Sequence, residues 1–210
     1  LVVAGIAWLP LLVLSILAGH ALPGSTAVAF LPDTEAHARF LVALPILIGA
    51  ERFVHGRLLP LVRQFIERRM VIAEELPKFD AAVASTVRLR NSVLAEIFLL
   101  IVVYTVGLWV WRDRFALSEP SWYSQTTGTP MRLTTAGQWY LLVSLPIFQF
   151  VLLRWYYRLF LWFWFLLRVS RLNLRLMPIH PDRTGGIGFL GGSIQAFSPF
   201  LLAQGAALAG

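Results

Sequence analysis

Five apolar runs alternate with polar segments along this chain of 210 residues. The first, 1–17, is LVVAGIAWLPLLVLSIL and carries no charge. The second, 36–55, has an uncharged centre of 11 residues, FLVALPILIGA, followed by Glu51 and Arg52. A helix needs about 20 apolar residues to cross a bilayer. This one must therefore start near Ala36 or carry Glu51 and Arg52 into the inner leaflet. The third run, 93–111, is VLAEIFLLIVVYTVGLWVW, and Glu96 is its one charge. The fourth, 138–167, is dense in aromatic residues and leads into an arginine-punctuated stretch. The fifth, 193–210, is flecked with Gln195 and Gln204 and sets Ala203/Ala207 and Ala206/Gly210 at four-residue spacing. Such small-residue spacing suits close helix packing in lipid.

The segment 56–92 has a different period. Leu58, Leu61, Val62, Phe65 and Ile66 recur at helical spacing between charges, which predicts an amphipathic helix. Leu76–Pro77 breaks it, since the residue before proline is steered away from the helical region. A second helix is expected to start there and run directly into the third span. Arg63, Glu67, Arg68, Arg69, Glu74 and Glu75 carry both signs, as a solvated helical hairpin would. The loop before the second run sets Asp33, Glu35 and His37 in alternation. In an extended segment these three share a face and could touch a cation; the plainer reading is a solvated loop. The fold class expected is all-α, a polytopic transmembrane helix bundle of about five spans with long helices extending into the cytoplasm. The chain reads as a single membrane domain, 1–210, and is expected to be a piece of a longer protein.

Composition strengthens this picture. Hydrophobic residues make up 58% and charged residues 14%, beyond the roughly 45–50% apolar content of soluble domains. Cysteine is absent, so disulfides, thiolate metal sites and thiol catalysis are excluded within this sequence. The formal charge of +7 would suit nucleic acid, but acidic residues interrupt the basic ones, and no nucleic-acid partner is expected. Anionic headgroups on the cytoplasmic side of a bilayer fit better. Arg52–Arg90 and Arg154–Arg183 together hold fourteen basic residues, and the two remaining loops hold four. The two groups alternate sides as five spans require, which places the N-terminus in the cytoplasm by the positive-inside rule. The expected location is the bacterial cytoplasmic (inner) membrane, with a homo-oligomeric copy or another membrane subunit as protein partner.

Charged positions inside apolar runs are the candidate chemistry. On a helical wheel at ~100° per residue, Arg154, Arg158, Arg168, Arg171 and Arg175 fall within an arc of roughly 140°. A continuous helix from Gln138 to Met177 would measure roughly 60 Å, twice the hydrocarbon thickness. Arg154 lies ~24 Å from the outer boundary, at the depth of Glu96 counted from the inner side. A Glu96–Arg154 or Glu96–Arg158 ion pair is therefore expected; the alternative is that each arginine snorkels to headgroups alone. Glu51 and His55, at i and i+4, share a helix face and are weaker candidates for a metal-ligand pair or proton relay; an interfacial ion and hydrogen-bond cluster is the preferred reading. A voltage sensor would need a tighter basic repeat through the apolar core. No metal or cofactor is expected.

The loop PIHPDRTGGIGFLGG contains Gly186-Ile-Gly188-Phe-Leu-Gly191. It matches G-x-G-x-x-G without the preceding strand or following acidic residue of a dinucleotide site, so a re-entry turn is the better reading. His180, Asp182 and Arg183, with Gly185 and Gly186, form a candidate loop site for acid–base or phosphate chemistry. The competing reading is a proline-bounded turn in which Asp182 binds backbone amides. HPDRTGGIGFLGG, with ELPKFDAAVASTVRLRNS upstream, resembles uncharacterised bacterial multi-pass membrane proteins, a resemblance that carries no activity with it. The leading expectation for function is a transport or channel component. A membrane-embedded enzyme using the His180–Arg183 loop and a structural or sensory membrane subunit are the alternatives.

Overall fold

The computed structural model describes residues 2–24, 26–110, 121–125, 132–176 and 181–209. Helix dominates. In chain order the helices are α1 (Val2–Leu17), α2 (34–67), α3 (Leu76–Arg90), α4 (Val93–Val110), α5 (Thr135–Val169), α6 (Gly192–Ala196) and α7 (Ser198–Ala209). Two short strands, β1 (Ser124–Gln125) and β2 (Arg132–Leu133), pair antiparallel. The chain divides into two compact units, Leu1–Ile48 with Ile97–Leu153 and Leu202–Gly210, and Gly49–Glu96 with Arg154–Leu201.

Local chemistry sets the helix ends. Gly19, at φ 72°, closes α1, with the His20 amide reaching back to Ser15 O; this left-handed cap ends many helices. Asp33 caps α2 by accepting from the Ala36 amide at 3.0 Å. Thr134 caps α5 by accepting from the Gly137 amide at 2.9 Å, while its own hydroxyl donates to Trp122 O at 2.8 Å. Three single π turns, Ala38–Ala43 in α2, Val103–Gly107 in α4 and Tyr140–Ser144 in α5, all fall in the first unit.

Several sequence-based boundaries need correction. No boundary separates the second apolar run from the amphipathic segment at 56, because α2 continues to Glu67. The helix stops there because Arg69 turns to φ 52° and the Met70 amide bonds back to Phe65 O. The break thus precedes Leu76–Pro77, and Pro77 instead opens α3, where its missing amide costs nothing. Nor does α3 run into α4: Asn91 and Ser92 part them, and the Ser92 hydroxyl accepts from the Ala95 amide. The fourth run leaves the helix at Val169, so Arg171 and Arg175 do not share a helix face with Arg154. The fifth run is cut at Phe197, ahead of Pro199, into α6 and α7.

Among the described residues, α4 and α5 have the length and apolar composition to cross a membrane. α1 and α7 are apolar but shorter. Only 6% of the α4 window is buried against protein, leaving Leu94, Phe98, Ile101 and Trp109 bare.

In the first unit, Ala4, Ala7, Leu11 and Ser15 give α1 a small buried face. It packs on the start of α5 and the π turn of α2, and Ser144 Oγ donates to Ala7 O at 2.6 Å. Asp33 Oδ2 accepts from Trp122 Nε1 at 2.8 Å. His37 Nδ1 accepts from Trp8 Nε1 at 3.0 Å, and Glu35 pairs with Arg39. The three alternating side chains therefore cap, bond and pair within the fold instead of converging on a cation.

In the second unit, Phe65, Phe79, Phe165 and Phe189 meet edge-on or tilted. Arg175 donates its amide to Met70 O at 2.8 Å, tying the segment after α5 to the turn after α2. Buried Glu75 accepts from Lys78 at 3.0 Å and from Asn173 at 3.4 Å.

Candidate ion-pair site and cavity

The second unit holds the clearest functional geometry. Glu51 and His55 lie one turn apart on α2, and Arg154 and Arg158 one turn apart on α5. Residues four apart share a helix face, so each helix presents two polar groups in register. Arg158 Nη2 donates to Glu51 Oε1 at 2.5 Å, and the Arg158 guanidinium also lies 5.1 Å from the Trp155 ring centre. Arg154 Nη2 lies 3.5 Å from Glu96 Oε1 at the start of α4. The structure thus brings Glu96 to Arg154 and gives Arg158 to Glu51. Spacing on α5 alone could not choose between the two arginines, and no sequence signal pointed to Glu51 as the partner of Arg158.

These pairs stand at the wall of a cavity of about 540 Å³. Its polar wall is formed by Glu51, Arg52, His55, Arg90, Arg154 and Arg158. Its apolar wall includes Leu58, Val62, Val87, Leu161, Trp162 and Phe165. Four arginines face one lining carboxylate, and with Glu96 bound to Arg154 the balance stays positive. Trp162 is buried, and its indole N–H has no hydrogen-bond partner among the described residues. An unpaired buried donor is costly unless something supplies an acceptor. Arg168 lies outside this wall and donates to Ser85 Oγ at 2.5 Å.

The glycine-rich loop is organised around Asp182. Its Oδ1 accepts from the amides of Thr184 at 2.9 Å and Gly186 at 3.0 Å, and its Oδ2 from Gly188 at 2.9 Å. Partial desolvation raises the carboxyl, but these three amides outweigh it and hold it well below the usual carboxylate range. Arg183, Gly185 and Gly186 all adopt positive φ, which two glycines accommodate without strain. His180 lies outside the described residues. Asp182 is thus engaged as an anchor of the turn, a poor arrangement for a general base.

A second cavity of about 540 Å³ lies within the first unit, lined by Asp33, Glu35, Arg39, Tyr140 and Gln149 among others. Arg39 donates to the Tyr140 hydroxyl at 2.7 Å, and Gln149 Oε1 is buried without a hydrogen-bond partner among the described residues. Sequence reasoning passed over these residues because Arg39 stood at the edge of a polar loop and Gln149 inside an apolar run. Among the described residues, no three His, Asp or Glu side chains gather as a metal site. Compared with known proteins, the chain matches no family model, and no curated protein or solved structure matches it at a significant level.

Proposed function

We propose that this chain is a five-span protein of the bacterial cytoplasmic membrane, N-terminus in the cytoplasm, acting as a transport or channel component. The observation that carries the reading is the wall of ion-paired groups on apolar helices. Arg154 and Arg158 interrupt α5, are met by Glu96 and Glu51, and open on a cavity. Charges on membrane helices are costly and are retained where they face a partner or a water-filled path. The bareness of α4 supports the membrane setting: an apolar helix that buries so little of itself against protein needs lipid to cover it. An enzyme built on the His180–Arg183 loop is less favoured because the amides already occupy Asp182.

Reconstitution of the full chain into liposomes tests the transport reading. Gradients of a panel of inorganic and carboxylate anions should dissipate faster than in protein-free liposomes, and Arg158→Gln should slow that flux severalfold. If no member of the panel moves faster than through empty liposomes, the transport reading fails.

A further inference from the structure

We infer that the cavity of the second unit binds an amphiphile with an anionic head and an acyl tail, the head on the arginines and the tail along the apolar wall. Two independent observations converge on this ligand class. The first is charge. Arg158 is matched by Glu51 and Arg154 by Glu96, whereas Arg52 and Arg90 form no ion pair among the described residues, and Arg90 only shares the field of Glu51, which Arg158 already engages. Arg90 Nε donates to Asn91 Oδ1 at 3.2 Å. Two guanidinium groups are thus left for an anion, and guanidinium forks suit carboxylate and phosphate oxygens.

The second observation is the polarity gradient. Glu51, Arg52 and His55 give way along α2 to Leu58, Leu59 and Val62, and Arg154 and Arg158 give way along α5 to Leu161, Trp162 and Phe165. α2 and α5 run side by side in the same sense, Glu51 meeting Arg158 and, further on, Phe65 meeting Phe165, so the cavity is polar at one end and greasy at the other. A small hydrophilic anion would leave the apolar half bare, and a neutral hydrocarbon would leave the arginines unmatched. The volume of about 540 Å³ falls within the ordinary range for small-ligand sites.

This inference rests on the membrane-transport reading for its biological sense, but its test stands apart from flux. The full chain, purified in a neutral maltoside detergent, is titrated with cis-parinaric acid, a fluorescent fatty acid. Saturable binding is expected. Palmitate and dipalmitoyl phosphatidylglycerol serve as competitors for the two sources of the same chemistry, a free fatty acid and a bilayer phospholipid. Displacement by either supports the site and identifies its source. Methyl palmitate and hexadecylamine, with neutral and cationic heads, should not displace the probe. The double variant Arg52→Gln/Arg90→Gln spares both ion pairs and should weaken binding by about tenfold or more, with unchanged thermal stability.

Absence of saturable binding, equal competition by the methyl ester, or unchanged affinity in the double variant would overturn the inference. Binding without anion flux would leave this site standing and sink the transport reading. Flux without amphiphile binding would do the reverse.

Discussion

Arg158 on α5 and Glu51 on α2 are 107 residues apart in sequence and meet at 2.5 Å. Arg158 is 17% exposed at its side chain and Glu51 54%, so the arginine is embedded and the carboxylate reaches in from the cavity rim. The neighbouring Glu96–Arg154 pair is longer, at 3.5 Å, and both of its members are about equally exposed. Geometry therefore ranks the two pairs.

A double-mutant cycle on Glu51→Gln and Arg158→Gln should give a coupling of roughly 1 kcal/mol in thermal or denaturant stability. The corresponding cycle on Glu96→Gln and Arg154→Gln should give less than about half of that. A larger coupling for the second pair would show that the distances do not reflect the energetics.

Gly137 offers a sharper steric test. A Cβ added there would collide with the carbonyl oxygen of Tyr123, and it would lie 2.9 Å from the Tyr123 carbonyl carbon. Backbone cannot move aside as a side chain can, and the Thr134 cap holds both segments. Gly137→Ala should cost about 3 kcal/mol or more, whereas Gly49→Ala, with open space around it, should be nearly neutral. Unfolding of the purified protein in detergent reads both.

The Asp182 turn has a defined pH dependence. Its folded carboxyl is held below the usual range, so its contribution is complete above the ordinary carboxyl value of about 3.9 and lost only as pH falls through the lower, folded value. Amide exchange across Thr184–Gly188 should thus keep its protection from about pH 7 down to about pH 4 once the intrinsic pH effect is removed. Asp182→Asn should lose that protection across the whole range. Gly188→Ala should do the same, because its Cβ would sit 2.9 Å from Asp182 Oδ2 and 3.1 Å from Thr184 Oγ1. Protection that vanished near neutral pH would rule out the anchor role.

The helical character and the approximate place of each apolar run could be read directly from periodicity, because runs of apolar residues around Leu11, Leu99 and Leu152 have no other physical outcome of that length. Helix ends were less legible. Arg69 takes a left-handed conformation that its residue type does not advertise, so α2 was expected to continue toward Pro77. The partner of Arg158 was illegible for another reason. Local spacing orders groups on one helix, but which carboxylate faces them depends on how α2 and α4 pack around α5. Asp182 was legible only as an alternative, since Asp-x-x-Gly-Gly serves equally as a turn or as part of a site until the amide directions are known. Arg52 and Arg90, in no ion pair among the described residues, look like ordinary positive-inside charge in sequence; the cavity beside them sets them apart.

Membrane topology is the most direct test of the account, and the absence of native cysteine makes it clean. Single cysteines are placed at exposed Ala27, Ala73 and Arg171 in the full chain and treated with a membrane-impermeant maleimide on intact spheroplasts. Five spans with the N-terminus in the cytoplasm predict labelling of Ala27→Cys on intact spheroplasts, with Ala73→Cys and Arg171→Cys labelled only after permeabilisation. Labelling of Ala73→Cys or Arg171→Cys on intact spheroplasts, or protection of Ala27→Cys there, would contradict it.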